Sequence, residues 1–177
     1  MRLSFVIGKV EIILNGNNEQ HKNNVFIIRL LFKDQPKFPE INTVDEIVGE
    51  YLGSVEIQSK TQNYYSYTLK DYCVNFENEE INPILTIFSP VKFENNNIEE
   101  QLIDENYGYQ VIVMDVMANL LNPKERIIFT MNLIEMLAHI FTECEAIYFE
   151  NWGKLFLTGN SKDKIKMKEF ASKKIMF

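Results

Sequence analysis

Apolar positions recur along this chain with two periods, and the change between them marks out the elements. Residues 1–14, "MRLSFVIGKVEIILN" up to the Leu, are rich in Val, Ile, Leu and Phe and predict a strand. Asn15-Gly16 opens the polar stretch 15–24, a hairpin signal, and "VFIIRLLF", 25–32, predicts the returning strand. Pro36 and Pro39 hold the next segment in a loop. Val44, Ile47, Val48, Tyr51 and Leu52 then fall at helical spacing, predicting a helix over 43–52, capped by Asn42 or Thr43 and ended by Gly53.

Strand patterns return at 54–59, 64–76 and 83–88, with "ENEEIN", 77–82, as a loop. Within 64–76, Tyr65, Tyr67, Leu69 and Asp71 share one face. Residues 92–108 are acidic and rich in Asn, with at most two helical turns around 98–103. "YQVIVMDVM", 109–117, is almost continuously apolar, as a central strand buried on both faces should be. The helix signal is strongest over 122–141: Asn122 caps, Pro123 occupies the first helical position and Glu125 the third. Ile127, Ile128, Met131, Ile134, Leu137, Ala138 and Phe141 give its expected apolar face. A strand at 144–150, a turn at 151–153 and a strand arm at 154–158 follow. Residues 161–177 form a basic tail or helix.

This order predicts an α+β fold: a mixed, mostly antiparallel β-sheet with helices packed on one face. With no evident linker or repeat, residues 1–177 are expected to form a single domain. Strand 109–117, helix 122–141 and strand 144–150 have the form of a βαβ crossover, which would be right-handed.

The net charge of -7 is unevenly placed. Acidic residues dominate up to residue 160, whereas 161–177 carries six Lys against Asp163 and Glu169. An acidic body repels nucleic acid and favours basic partners. The interrupted N-terminal run does not resemble a signal peptide, and no window approaches a membrane span, so a cytoplasmic protein is expected. Cys73 and Cys144 are expected to be reduced, buried thiols, since both lie in strand-like surroundings.

Three places could carry chemistry. His139 lies near Cys144, with Glu135 and Glu143 four residues to either side, which suits a Cys/His pair or half a metal site. The plainer reading is a histidine near a helix C-terminus, where positive charge is favoured, beside solvated glutamates. Asp115, an acid inside an apolar strand, either stands at a catalytic strand end or caps a turn or helix; capping is the expectation. Asn122–Arg126 could hold an anion at a helix start, but no glycine-rich loop accompanies it, and Lys124 and Arg126 read as helix-surface residues. No phosphate-loop, dinucleotide or nucleophile-elbow motif occurs, and no cofactor is implied.

The run "VIVMDVMANLLNPKERIIFTMNLIEMLAHIFTECEAIYFENWGKLF", 111–156, resembles the 4261 family of domains of unknown function. The likeness lies in an apolar strand ending in Asp and a Met-rich step, then Leu and Arg opening a long helix. A Cys-Glu-Ala-Ile-Tyr strand and a Gly-Lys turn complete it. The resemblance implies a small α+β bacterial protein, of a type found beside polymorphic toxins, and transfers no functional residue.

The expected function is therefore non-catalytic protein binding, most concretely an immunity protein that neutralises a bacterial toxin. The expected partner is a basic toxin domain, covered by Glu77, Glu79, Glu80, Glu94, Glu99, Glu100, Asp104 and Glu105. A small hydrolase or metal-dependent enzyme using His139 and Cys144, and a structural subunit or homodimer joined through a strand edge, are the alternatives.

Overall fold

The computed structural model describes residues 3–7, 10–14, 25–93, 107–158, 166 and 169. An eight-stranded sheet is the frame. Its strands are β3 (Val25–Phe32), β4 (Val55–Lys60), β5 (Tyr64–Leu69), β8 (Ile84–Phe88), β9 (Val91–Lys92), β10 (Tyr109–Val116), β11 (Ala146–Phe149) and β12 (Lys154–Leu157). They run in the order β12-β11-β3-β10-β8-β5-β4, with β9 beside β10, and neighbouring strands are antiparallel. Two hairpins stand apart as separate two-stranded sheets: β1 (Leu3–Ile7) with β2 (Val10–Leu14), and β6 (Val74–Phe76) with β7 (Glu79–Ile81). Two α-helices are described over their whole length, α1 (Ile41–Leu52) and α2 (Pro123–Ile140). The α+β class is as expected.

Both helices lie on one sheet face. Val44, Val48 and Leu52 of α1, and Phe129, Leu133, Met136 and Leu137 of α2, join one apolar cluster with Ile28, Leu30, Tyr67, Leu69, Leu85, Ile87, Val111, Val113, Ile147 and Phe149. Antiparallel register aligns these strand residues in rows, for example Ile87–Val113–Ile28–Phe149. The opposite face carries a smaller cluster around Leu31, Ala146 and Tyr148.

The N-terminal third departs from expectation. Where one strand was expected over 1–14, the described residues form two, Leu3–Ile7 and Val10–Leu14, with Ile7 paired to Val10. Strand 25–32 does not return along them: it lies between β10 and β11, paired with both. β10 and β11 are consequently parallel to each other, but β3 separates them, so the expected βαβ unit crosses over an intervening strand. The turn expected at 15–24 and the helical turns at 98–103 lie outside the described residues, as does the tail apart from Lys166 and Glu169, both helical.

Smaller corrections follow from local chemistry. Helix α1 starts at Ile41 after Glu40, with no side-chain cap from Asn42 or Thr43. It ends at Gly53, whose φ of 79° is in the left-handed region and whose N–H donates to the Gly49 carbonyl. A side chain there would meet the Asp71 carboxylate, which accepts the Ser54 N–H at 2.8 Å. Residues 64–76 split at a turn after Leu69, and the expected loop 77–82 contains β7. The cap of α2 forms as predicted, with Asn122 Oδ1 accepting the Glu125 N–H at 3.0 Å. Its buried face differs: Phe129, Thr130 and Leu133 are inside, while Ile128 is 48% exposed. Apolar residues extend beyond one stripe of this helix, and contact with both α1 and the sheet selects which of them are buried. Cys144 precedes β11 rather than lying in it.

Where β11 ends, Asn151 prolongs its pairing with β3. Its Oδ1 accepts the Ile27 N–H at 2.8 Å and its Nδ2 donates to the Val25 carbonyl at 2.9 Å. On the sheet's second face Arg29 donates to Glu150 and to Gln110, each at 2.8 Å. The Asn151 contacts lie at the end of the sheet where β10 passes into α2, since Val25 pairs with Val116.

Candidate functional site

Hairpin β6–β7 carries the described part of the expected acidic surface. Phe76 pairs with Glu79, leaving Glu77 and Asn78 as a two-residue turn. Their φ angles, 53° and 68°, are those of the turn type that matches strand twist, but that turn favours Asn and Gly and places Glu77 in a costly conformation. Glu77, Glu79 and Glu80 are all exposed. Glu94, Glu99, Glu100, Asp104 and Glu105 lie outside the described residues. The hairpin is anchored through Val74, buried in the main core, and β6 packs against the 3-10 turn Ala118–Leu120 that follows β10.

His139 and Cys144 occupy different surroundings. The imidazole is exposed and meets the ring of Tyr51 on α1 edge-to-face, with centroids 5.8 Å apart. The Cys144 thiol is buried and donates to the Ala146 carbonyl at 3.2 Å. Burial pushes this thiol up to about 12, against a smaller opposing effect of backbone hydrogen bonds, so it is neutral at physiological pH. It lines a cavity of about 230 Å³ with Leu30, Leu137, Phe141, Ile147 and Thr158, and His139 is not part of that wall. Cys73, expected to be buried, is exposed because the chain turns out of β5 before reaching it. Among the described residues no group of three or more His, Cys, Asp or Glu is placed to hold a metal ion, and no helix is long and apolar enough to cross a membrane.

Asp115 stands in the inner row of the sheet, flanked across the strands by Leu85 and Phe26. It is 5% exposed, so its carboxylate has lost almost all hydration. That burial pushes its pKa up to about 7, and the Ala118 N–H, which donates to Oδ1 at 3.2 Å, opposes the shift. The expected turn-capping role is therefore present. Between Asp115 and Ala118 lies Met117, a non-glycine residue with φ 76°. Asp115 opens onto a cavity of about 100 Å³, lined by Phe26, Ala118, Asn119, Arg126, Phe129, Thr130 and Trp152. The rings of Phe26 and Trp152 are tilted with centroids 4.8 Å apart, and Trp152 stacks on Phe149 at the same separation. Arg126, expected on the helix surface, is half-buried and donates from Nη1 to the Asn119 carbonyl at 2.9 Å.

Of this second site Asp115 stands out in the sequence as an acid in an apolar strand and Trp152 as the one tryptophan, whereas Arg126 reads as a helix-surface residue. Phe26 and Trp152 come from strands and turns that the local pattern cannot place side by side. The αL residue at Met117 has no compositional signal. Comparison with family models, curated proteins and solved structures returned no match.

Proposed function

We propose that the protein binds another protein without catalysis, most concretely as an immunity protein that occludes a basic face of a bacterial toxin. The observation that supports this reading is hairpin β6–β7, which projects Glu77, Glu79 and Glu80 into solvent from a two-residue turn. Glu79 and Glu80 point to opposite sides of the ribbon and Glu77 occupies its tip, so carboxylates address a partner from three directions. A short ribbon anchored by Val74 loses little freedom on binding, which favours affinity. Clustered negative charge also accelerates encounter with a basic surface and rejects acidic ones.

The test is co-expression with the product of the neighbouring gene. The protein is expected to protect cells and to co-purify with that product, with association slowing as salt is raised. The triple variant Glu77→Lys, Glu79→Lys, Glu80→Lys is expected to lose protection while keeping its thermal midpoint. Full protection by the triple variant, or unchanged toxicity with the wild-type protein present, overturns the proposal.

A further inference from the structure

We propose that the cavity beneath the last turns of α2, which Cys144 lines, is a binding site for an uncharged, mainly apolar molecule the size of one substituted ring. The cavity measures about 230 Å³. Protein interiors are packed so closely that voids larger than a water molecule are few. An apolar cavity of about 150 Å³ already accepts a benzene ring. The space here therefore accommodates a ring together with a short substituent.

The cavity follows from how the end of the helix meets the sheet. Leu30 of β3 and Ile147 of β11 are paired directly across the strands, and both are buried, so they give an apolar floor. Leu137 and Phe141 lie four residues apart, at the spacing of one helix face, and belong to the same core. Beside them Ala138 and Thr142, also four apart, line the cavity while remaining exposed, so the mouth lies there. Ala138 contributes only a methyl group to this wall, which leaves open the space that a longer side chain would fill.

The chemistry of the wall selects against charge. Cys144 and Thr158 complete it, and their polar hydrogens are already used. The thiol donates to the Ala146 carbonyl at 3.2 Å, and the Thr158 hydroxyl donates to the Cys144 carbonyl. Neither requires an acceptor from a ligand. The described wall carries no charged side chain, so an ion entering it would lose hydration without gaining a partner. A neutral ring gains by leaving water and by contact with the floor, Leu137 and Phe141. A buried thiol packs as a small hydrophobe, and sulfur beside an aromatic ring is favourable. A few polar groups set within apolar walls are typical of small-molecule sites. No wall residue belongs to β6 or β7, so occupancy of this cavity and binding through the acidic hairpin are tested separately.

The full chain, isotope-labelled in its Leu and Ile methyl groups, is titrated with toluene at neutral pH and followed by methyl NMR. Saturable shifts centred on Leu30, Leu137 and Ile147 are expected, with a dissociation constant at or below about a millimolar. Benzylammonium and benzoate, rings of similar size that carry a charge, are expected to bind at least about tenfold more weakly. Ala138→Leu, at an exposed helical position where leucine is a good helix former, is expected to keep the fold and to weaken toluene binding at least about tenfold by filling the space. Thr142→Leu, at the other exposed position of the mouth, is expected to act likewise, and it decides the matter if Ala138→Leu does not fold. No saturable shift, a response centred on other methyl groups, equal binding of the charged rings, or unchanged toluene affinity in a folded blocking variant would each overturn the assignment.

Discussion

Replacing Asp115 with Asn should remove a specific pH dependence from the stability of the fold. The ordinary carboxyl value is 3.8, and in the folded chain burial raises that of Asp115 to about 7. Between these values the folded state holds a proton that the unfolded chain has released. Stability therefore falls as pH rises, beginning near 4 and levelling off once the folded carboxyl has ionised above 7. Each unit of separation corresponds to about 1.4 kcal/mol, so the whole shift costs roughly 4 kcal/mol at pH 8 relative to pH 4. Domains of this kind are stabilised by only about 5–15 kcal/mol, so the effect is large enough to measure.

The amide introduced by Asp115→Asn would retain an oxygen for the Ala118 N–H, 3.2 Å from Oδ1 in the native turn. It carries no charge to desolvate. Urea unfolding of both proteins at pH 4.5, 6, 7 and 8 separates this group from every other titration, because the rest of the chain is common to both. Near pH 4.5 the two should be within about 1 kcal/mol of each other, and by pH 8 the variant should be the more stable by roughly 3–4 kcal/mol. A difference that stays constant across the range would show that Asp115 ionises as freely in the fold as out of it. It would refute the argument from burial.

The two thiols should differ in reactivity. At pH 8 an aromatic disulfide reagent should modify exposed Cys73 within minutes, and Cys144, buried and pushed up to about 12, only after denaturant is added; two thiols reacting at one rate would contradict the packing. Asn151→Ala leaves the Ile27 N–H and the Val25 carbonyl without the amide that pairs them, and should lower unfolding free energy by about 1–2 kcal/mol in urea denaturation. Glu77→Gly should be neutral or stabilising by up to about 1 kcal/mol, because Gly occupies φ 53° without steric cost. Glu50→Gly, inside α1, should instead cost about 1 kcal/mol, and equal losses from the two glycines would show that the hairpin tip is unstrained.

Which parts of this fold could be read from the sequence follows from the range of the forces involved. Helix α2 was legible to within a residue at either end because its signals are local: Asn122, Pro123 and Glu125 lie within four positions. β10 was legible because burial on both faces leaves an almost continuous apolar run, broken by Gln110 and Asp115. The partner of β3 was not legible. Proximity in sequence favours β2, but the apolar faces of β10 and β11 bury β3 on both edges, and that preference is written in residues about eighty to a hundred and twenty positions away. Hairpin β6–β7 was missed because Glu77-Asn78 lacks the glycine that usually marks such a turn. The carboxyl of the cavity was visible as an anomaly in β10, whereas its aromatic wall depends on the strand order and was not.

The non-glycine residues with positive φ among those described are Glu77, Asn78 and Met117. They fall in the two places that carry the unexplained chemistry, the acidic hairpin and the turn beside Asp115. Those places touch, since β6 packs against the 3-10 turn that Met117 initiates. Val74 and Ala118 both belong to the main core, so the hairpin and the cavity share a rigid footing rather than meeting through a loose loop. Unfavourable backbone conformations persist where the surroundings over-determine them. Here the surroundings are the closely packed end of the sheet, where β3, β10 and the turn after β11 converge. The cost of holding Glu77 outward and Asp115 inward is therefore carried by one region. The 3-10 turn against which β6 packs is the same turn whose Ala118 N–H holds the Asp115 carboxyl.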